Sequence, residues 1–129
     1  TAVLVSKVQY IKRNLNKNFV IIDAGMNDFM RPALYGAKHR IIPLKKNKRK
    51  MDNVEFSGPI CETSCKFTFY KKFQNLGEND LIAIENVGAY GSSLSSNYNL
   101  RPIIKEILVN KNRIKVIKKR QKIKDILKK

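Results

Sequence analysis

Ile103-Ile104-Lys105-Glu106-Ile107-Leu108-Val109 is followed by Asn110-Lys111-Asn112 and then Arg113-Ile114-Lys115-Val116-Ile117-Lys118. Two runs rich in β-branched residues flank a short polar turn, which predicts a β-hairpin. Similar runs recur through the rest of the chain. Ala2 to Lys12 alternates loosely through Val3, Val5, Val8 and Tyr10 and predicts a long strand. Asn14 to Asn18 is a polar turn, and Phe19-Val20-Ile21-Ile22-Asp23 is a compact buried strand ended by Ala24-Gly25. Ile41-Ile42-Pro43-Leu44 reads as an edge strand, because proline cannot donate to a ladder. Val54 to Ser57 runs into Gly58-Pro59, and Leu81 to Glu85 follows the turn-like Gly77 to Asp80. Lys45 to Asp52 reads as a charged loop, and Gly88 to Tyr98, rich in Gly, Ser and Asn, as another. Asn27 or Asp28 could cap a short helix ending near Tyr35, or Pro32 could start it. Ile123, Ile126 and Leu127 have the spacing of a short amphipathic helix. The sum predicts a mainly β fold, barrel or sandwich, with short helices, as one domain over 1–129. No βαβ alternation supports a Rossmann-like sheet.

A chain of 129 residues, 43% of them apolar, can bury a real core. No apolar run approaches the roughly 20 residues that span a bilayer, and no charged-then-apolar signal pattern opens the chain. Thr1 leads directly into Ala2-Val3-Leu4-Val5, as though the sequence were cut from a longer protein. The net charge is +17, concentrated in Lys45 to Lys50 and in the tail from Lys111 to Lys129. Such charge attracts nucleic acid or anionic membranes. Lys, Asn and Ile are abundant together, however, and Asn and Ile add nothing to phosphate binding. The basic runs also lack interleaved aromatics for base stacking. The expectation is weak, salt-sensitive and sequence-blind nucleic-acid binding only. Cys61 and Cys65 form C-x3-C without two further ligands nearby, and His39 is the only histidine, so no metal site is expected. Reduced thiols and no signal peptide predict a cytoplasmic protein. Cys65 is assigned to packing.

Three stretches place chemistry beside forced turns. Cys61 follows Gly58-Pro59 and precedes Glu62. A thiol held there can give its proton to a carbanion, or it can be a small buried hydrophobe. Glu62 can bind a substrate ammonium or be a solvated charge, and extended geometry would point it away from Cys61. Arg31 and Tyr35 share a face if their turn is helical. Together they could receive a carboxylate, or Arg31 could stack on a surface ring. In Gly88-Ala89-Tyr90-Gly91 a phenol sits between glycines, suited to a phosphate or carboxylate, or simply packed in a turn. The serines after it match no nucleophile elbow, and no P-loop or G-x-G-x-x-G occurs. His39 has no evident nucleophile partner and reads as a surface residue.

In order and spacing, Val20 to Asp28, Arg31-Pro32-Ala33-Leu34-Tyr35, Gly58-Pro59-Ile60-Cys61-Glu62, Gly88-Ala89-Tyr90-Gly91, Ser95 to Asn99 and Arg101-Pro102 resemble the C-terminal domain of diaminopimelate decarboxylases. The likeness runs from about Val5 to Leu127. It implies a β-rich domain attached to an N-terminal (β/α)8 barrel that this chain lacks. That barrel carries pyridoxal 5'-phosphate on a lysine. The enzyme converts meso-2,6-diaminopimelate to L-lysine and CO2, and the cofactor acts as electron sink. The resemblance further implies a homodimer whose active sites lie between subunits. It gives Cys61 as proton donor, Glu62 as ligand of the distal end of the substrate, Arg31 and Tyr35 as carboxylate ligands, and Tyr90 as a contact to cofactor phosphate and substrate. It implies no metal and no membrane, and an isolated chain without activity. After Cys61-Glu62 the family usually reaches an acid, where this sequence reads Thr63-Ser64-Cys65. Lys66 to Asn75 matches poorly.

Overall fold

The computed structural model describes residues 1–128; Lys129, the end of the basic tail and of the expected 1–129 domain, lies outside the described residues. The described residues form eight strands: β1 (Val3–Arg13), β2 (Asn18–Ile22), β3 (Ile41–Pro43), β4 (Lys50–Ser57), β5 (Lys66–Gln74), β6 (Leu81–Glu85), β7 (Glu106–Asn110) and β8 (Arg113–Lys118). Two short helices, α1 (Arg31–Tyr35) and α2 (Ile123–Leu127), complete them. Six strands make one sheet in the order β3-β6-β1-β2-β4-β5, and β7-β8 form a separate two-stranded ribbon. All pairs are antiparallel except β2 with β4, which is parallel.

The β-branched runs supply the core. Val8, Val20, Ile22, Val54, Ile82 and Ile84 are fully buried with Phe56. Each such side chain contributes about 1.5–3 kcal/mol relative to an exposed one. The sheet curls around them until its edges approach. The Tyr70 hydroxyl on β5 accepts the backbone N–H of Ile41 on β3 at 2.8 Å. The ring of Phe56 packs edge-on against those of Tyr70 and Phe73 beneath this closure. Of the barrel and sandwich expected for a mainly β chain, the barrel-like form is the one adopted.

β1, β2, β3 and β6 lie where the sequence predicts them, and so do the hairpin and the terminal helix. Pro43 closes an edge strand, as its missing donor requires. Four expectations are corrected, and one stretch that carried none is assigned. Asn27 and Asp28 do not cap α1, which starts at Arg31 with Met30 before it and Pro32 in its first turn. Asp28 instead accepts the N–H of Gly25. The loop expected over Lys45 to Asp52 ends early, since Lys50–Asp52 open β4. The strand expected from Ile103 starts at Glu106. The stretch from Lys66, unassigned by pattern, is the nine-residue β5. His39 is half-buried rather than on the surface, its Nδ1 3.0 Å from the carbonyl of Glu85 and its ring edge-on to Phe29.

Candidate functional site

β1 is antiparallel to both β2 and β6, and β4 is parallel to β2. β2, β4 and β6 therefore run in one direction; β2 and β4 end level with each other, Ile21 beside Ser57, while β6 runs further along β1 and ends beside Val3. The three chemistry-bearing stretches leave from those ends: Asp23 to Tyr35 after β2, Gly58 to Cys65 after β4, and Asn86 to Arg101 after β6. Topology thus gathers segments far apart in sequence.

Close backbone approach locks the first two together. A Cβ on Gly58 would lie 2.4 Å from Cys65 Sγ and 2.8 Å from the carbonyl oxygen of Ala24, so only glycine fits. Cys65 is 2% exposed, and its sulfur accepts the N–H of Met26 at 3.4 Å. Cys65 therefore packs, as expected. Cys61, by contrast, is exposed on a bend, and both thiols are free. Glu62 is exposed beside it and accepts the Ser64 hydroxyl at 3.3 Å. The two lie on a bend rather than an extended run, so alternation of side chains does not govern where they point.

Arg31 and Tyr35 begin and end α1, one helical turn apart. Tyr35 is 63% exposed. The Nε of Arg31 is buried and has no acceptor among the described residues. An unpaired buried donor costs about 1–3 kcal/mol, which an incoming anionic oxygen would recover. Tyr90 is 65% exposed and sits at φ 57, a left-handed conformation that is uncommon for a bulky residue. Beside it a Cβ on Gly91 would lie 2.1 Å from the carbonyl oxygen of Val87, so this turn tolerates only glycine there. All five candidate residues thus lie on the segments that follow β2, β4 and β6, which meet where Gly58 backs onto Ala24 and where the Ser96 N–H donates to the Asn27 carbonyl. Among the described residues no hydrogen bond or ion pair joins any two of them. Phenols and a free guanidinium N–H suit phosphate and carboxylate oxygens, so these residues fit the anionic groups of pyridoxal 5'-phosphate and an amino-acid substrate.

The turn after β2 also holds a buried polar group, of which the sequence offers Asn27 and Asp28 only as helix caps and gives Arg101 no role. Asn27 is fully buried and Asp28 nearly so. Arg101 donates from Nε to Asn27 Oδ1 at 3.0 Å and from Nη2 to the carbonyl of Asp23 at 2.6 Å. Its Nη2 also lies 3.7 Å from Asp28. Burial pushes the Asp28 carboxyl above its ordinary range, against the opposing hydrogen bond from Gly25 and the charge of Arg101. The signal in the sequence was an arginine held before Pro102, to be matched with an Asn-Asp pair after a strand.

The two basic clusters are separated. The first precedes the start of β4, while Gln121 of the tail contacts Asn97 in the loop beyond β6. Among the described residues, no group of three His, Cys, Asp or Glu could hold a metal, and no helix is long and apolar enough to cross a membrane.

A sequence model of the family described as pyridoxal-dependent decarboxylase, C-terminal sheet domain, matches residues 1–88. A diaminopimelate decarboxylase of Helicobacter pylori is 46% identical over 124 residues, covering 95% of this chain and 31% of that protein. One of Buchnera aphidicola subsp. Schizaphis graminum is 41% identical, covering 98% of this chain and 34% of the relative. The crystal structure of the Helicobacter pylori enzyme complexed with L-lysine superposes with a TM-score of 0.88 at 44% identity, over 96% of this chain and 30% of that one. That of the M. jannaschii enzyme with L-lysine gives 0.92 at 38% identity, over 97% of this chain and 29% of that one. The chain spans about a third of the length of the curated relatives it matches. It belongs to the pyridoxal-dependent decarboxylase family, as its C-terminal sheet domain.

Proposed function

We propose that this chain, as the C-terminal sheet domain of a pyridoxal-dependent decarboxylase, supplies substrate ligands and the proton donor of a diaminopimelate decarboxylase. The complete protein converts meso-2,6-diaminopimelate to L-lysine and CO2. The observation that carries the reading is that the segments following β2, β4 and β6, which bear Arg31, Tyr35, Cys61, Glu62 and Tyr90, are joined to one another through Gly58 against Ala24 and Asn27 with Ser96.

Pyridoxal 5'-phosphate, when bound, supplies the electron sink for loss of CO2. The residues of this chain bind, orient and protonate. Arg31 and Tyr35 hold a substrate carboxylate, the Arg31 Nε–H among the donors. Glu62 accepts the ammonium at the distal end. Tyr90 donates its hydroxyl to the cofactor phosphate. Cys61 holds a proton on Sγ and delivers it to the carbon that has lost CO2, fixing the face on which the new C–H bond forms. Exposure of Cys61, Glu62 and Tyr90 fits a site completed by another surface. In this reading that surface is the cofactor-bearing barrel of a second subunit in a cytoplasmic homodimer, and the lysine that holds the cofactor lies outside these residues.

The test is turnover. The complete protein with pyridoxal 5'-phosphate and meso-diaminopimelate releases CO2 and L-lysine in equal amounts. The 129-residue chain alone releases none above the background of free cofactor. A complete protein inert toward meso-diaminopimelate, or an isolated chain that turns it over, overturns the reading.

A further inference from the structure

The segment from Gly88 to Arg101 adopts a conformation that its own residues disfavour. Tyr90, Asn99 and Leu100 have φ of 57, 54 and 56. Left-handed backbone costs a non-glycine residue of order 1–3 kcal/mol and persists only where surrounding contacts over-determine it. Asn tolerates it best, whereas Leu and Tyr do not. Leu100 is 63% exposed, so little burial offsets its strain.

The residue directly after the strained pair is Arg101. Its guanidinium reaches the Asp23 carbonyl and Asn27 Oδ1, both in the turn after β2. That fixes the Asn27 amide, whose Nδ2 donates back to the Ser96 carbonyl at 3.4 Å. The Ser96 N–H in turn donates to the Asn27 carbonyl at 2.9 Å. Ser95 then binds the Ser92 carbonyl through both its N–H and its hydroxyl. Ser92 adjoins Gly91, where an added Cβ would come within 3.8 Å of the Phe29 ring. A continuous path of bonds therefore runs from Arg101 through Asn27 and Ser96 to the Tyr90 turn.

We propose that Arg101 is a positioning residue: its guanidinium clamps the segment 88–101 onto the turn after β2 and so holds the Tyr90 phenol where the site uses it, an inference resting on the role given to Tyr90 above. In this role Arg101 acts through Asn27 and the Asp23 carbonyl rather than on substrate or cofactor. It opposes the relaxation of three left-handed residues. Only a planar fork can serve, because two acceptors in different directions are bound at once.

The test uses the complete protein carrying this domain. Arg101→Met lowers pyridoxal 5'-phosphate affinity by about tenfold, the order of one hydrogen bond to the phosphate weakened. Adding Tyr90→Phe to that variant then changes little, since coupled residues are non-additive. Amide hydrogens of Ser92 to Arg101 exchange faster, while those of β1 and β2 keep their protection. Arg101→Lys, which retains the charge and is the gentler variant for folding, behaves like Arg101→Met. Additive losses, unchanged exchange, or full rescue by lysine each overturns the clamp. A Tyr90→Phe protein that binds the cofactor normally overturns the role of Tyr90 and this inference with it. Wild-type protein without decarboxylase activity counts against the substrate reading alone, and the exchange and cofactor measurements still decide the clamp.

Discussion

The hydroxyl of Tyr70 and the backbone N–H of Ile41 join the two free edges of the six-stranded sheet, at 2.8 Å across β5 and β3. Ile41 is 3% exposed, so its N–H has no solvent to fall back on. Tyr70→Phe keeps the ring against Phe56 and Phe73 but orphans that donor. The expected loss is about 1–3 kcal/mol, read as a lower midpoint in urea unfolding. An unchanged midpoint would mean that the edges are held by packing alone.

Two glycines separate close approach from mere turn composition. At Gly58 a Cβ would strike Cys65 Sγ, the Ala24 carbonyl and Gly25 Cα, the last at 2.9 Å. At Gly88 it would meet only Ala2, at 3.5 Å. Gly58→Ala therefore costs about 1–3 kcal/mol or more, since two of its clashes are with backbone. Gly88→Ala leaves the unfolding midpoint nearly unchanged. Equal effects would remove the steric account of the Gly58-Pro59 turn.

How far the sequence discloses this structure varies by element. β2 and β6 are short runs that carry Val20, Ile22, Ile82 and Ile84 into the core, and such β-branched runs announce themselves. β5 does not. Its buried residues are Phe67 and Phe73, with Tyr70 packed against the core between them. That spacing of three matches neither a strand nor a helix. The cause is local: the β4–β5 register shifts at Phe56/Ser57. Asn53, at φ 48, also breaks the alternation on β4, so Met51 and Val54 both reach the core. A bulge and a left-handed residue each move the pleat by one position, and no period survives. The candidate site was legible as residue types beside forced turns. Its common location was not, because that depends on β2, β4 and β6 running the same way, a fact of strand pairing. For Arg101 both partners stand in the sequence, before Pro102 and in the Asn27-Asp28 pair, but nothing local pairs residues 74 positions apart.

The pH dependence of stability separates two carboxylates. Asp28 is raised above its ordinary 3.8 by burial. Between that value and its folded one, the folded state holds a proton that the unfolded state has lost. Stability from Asp28 therefore falls as pH rises through this window and is level above it. Glu106 is lowered from 4.5, chiefly by the hydrogen bond from Ser92 and then by Lys118. Its contribution is present above that ordinary value and disappears as pH falls through the folded one. Asp28→Asn keeps an acceptor for the Gly25 N–H and should abolish the first slope, leaving only the loss toward acid. Unfolding midpoints from about pH 3 to about pH 7 read both slopes. Persistence of the falling slope in Asp28→Asn would assign it to another group.

The two cysteines provide the sharpest contrast, because four residues of chain put one in solvent and the other under a glycine. A thiol reagent should label Cys61 in the folded chain and reach Cys65 only after unfolding. In the complete protein, Cys61→Ala should retain pyridoxal 5'-phosphate, since Cys61 has no role at the phosphate. Turnover should fall by roughly 10²–10⁴, the usual contribution of a positioned general acid. Cys65→Ala removes a packed sulfur and the acceptor of the Met26 N–H. It should cost about 1 kcal/mol of stability and little turnover. Tyr90→Phe should differ from both by weakening retention of the cofactor. Equal turnover losses in the two cysteine variants would give the thiols one shared structural role. Full turnover in Cys61→Ala would take the proton donor away from this domain, and the exposed bend after Gly58-Pro59 would then serve substrate binding through Glu62 alone.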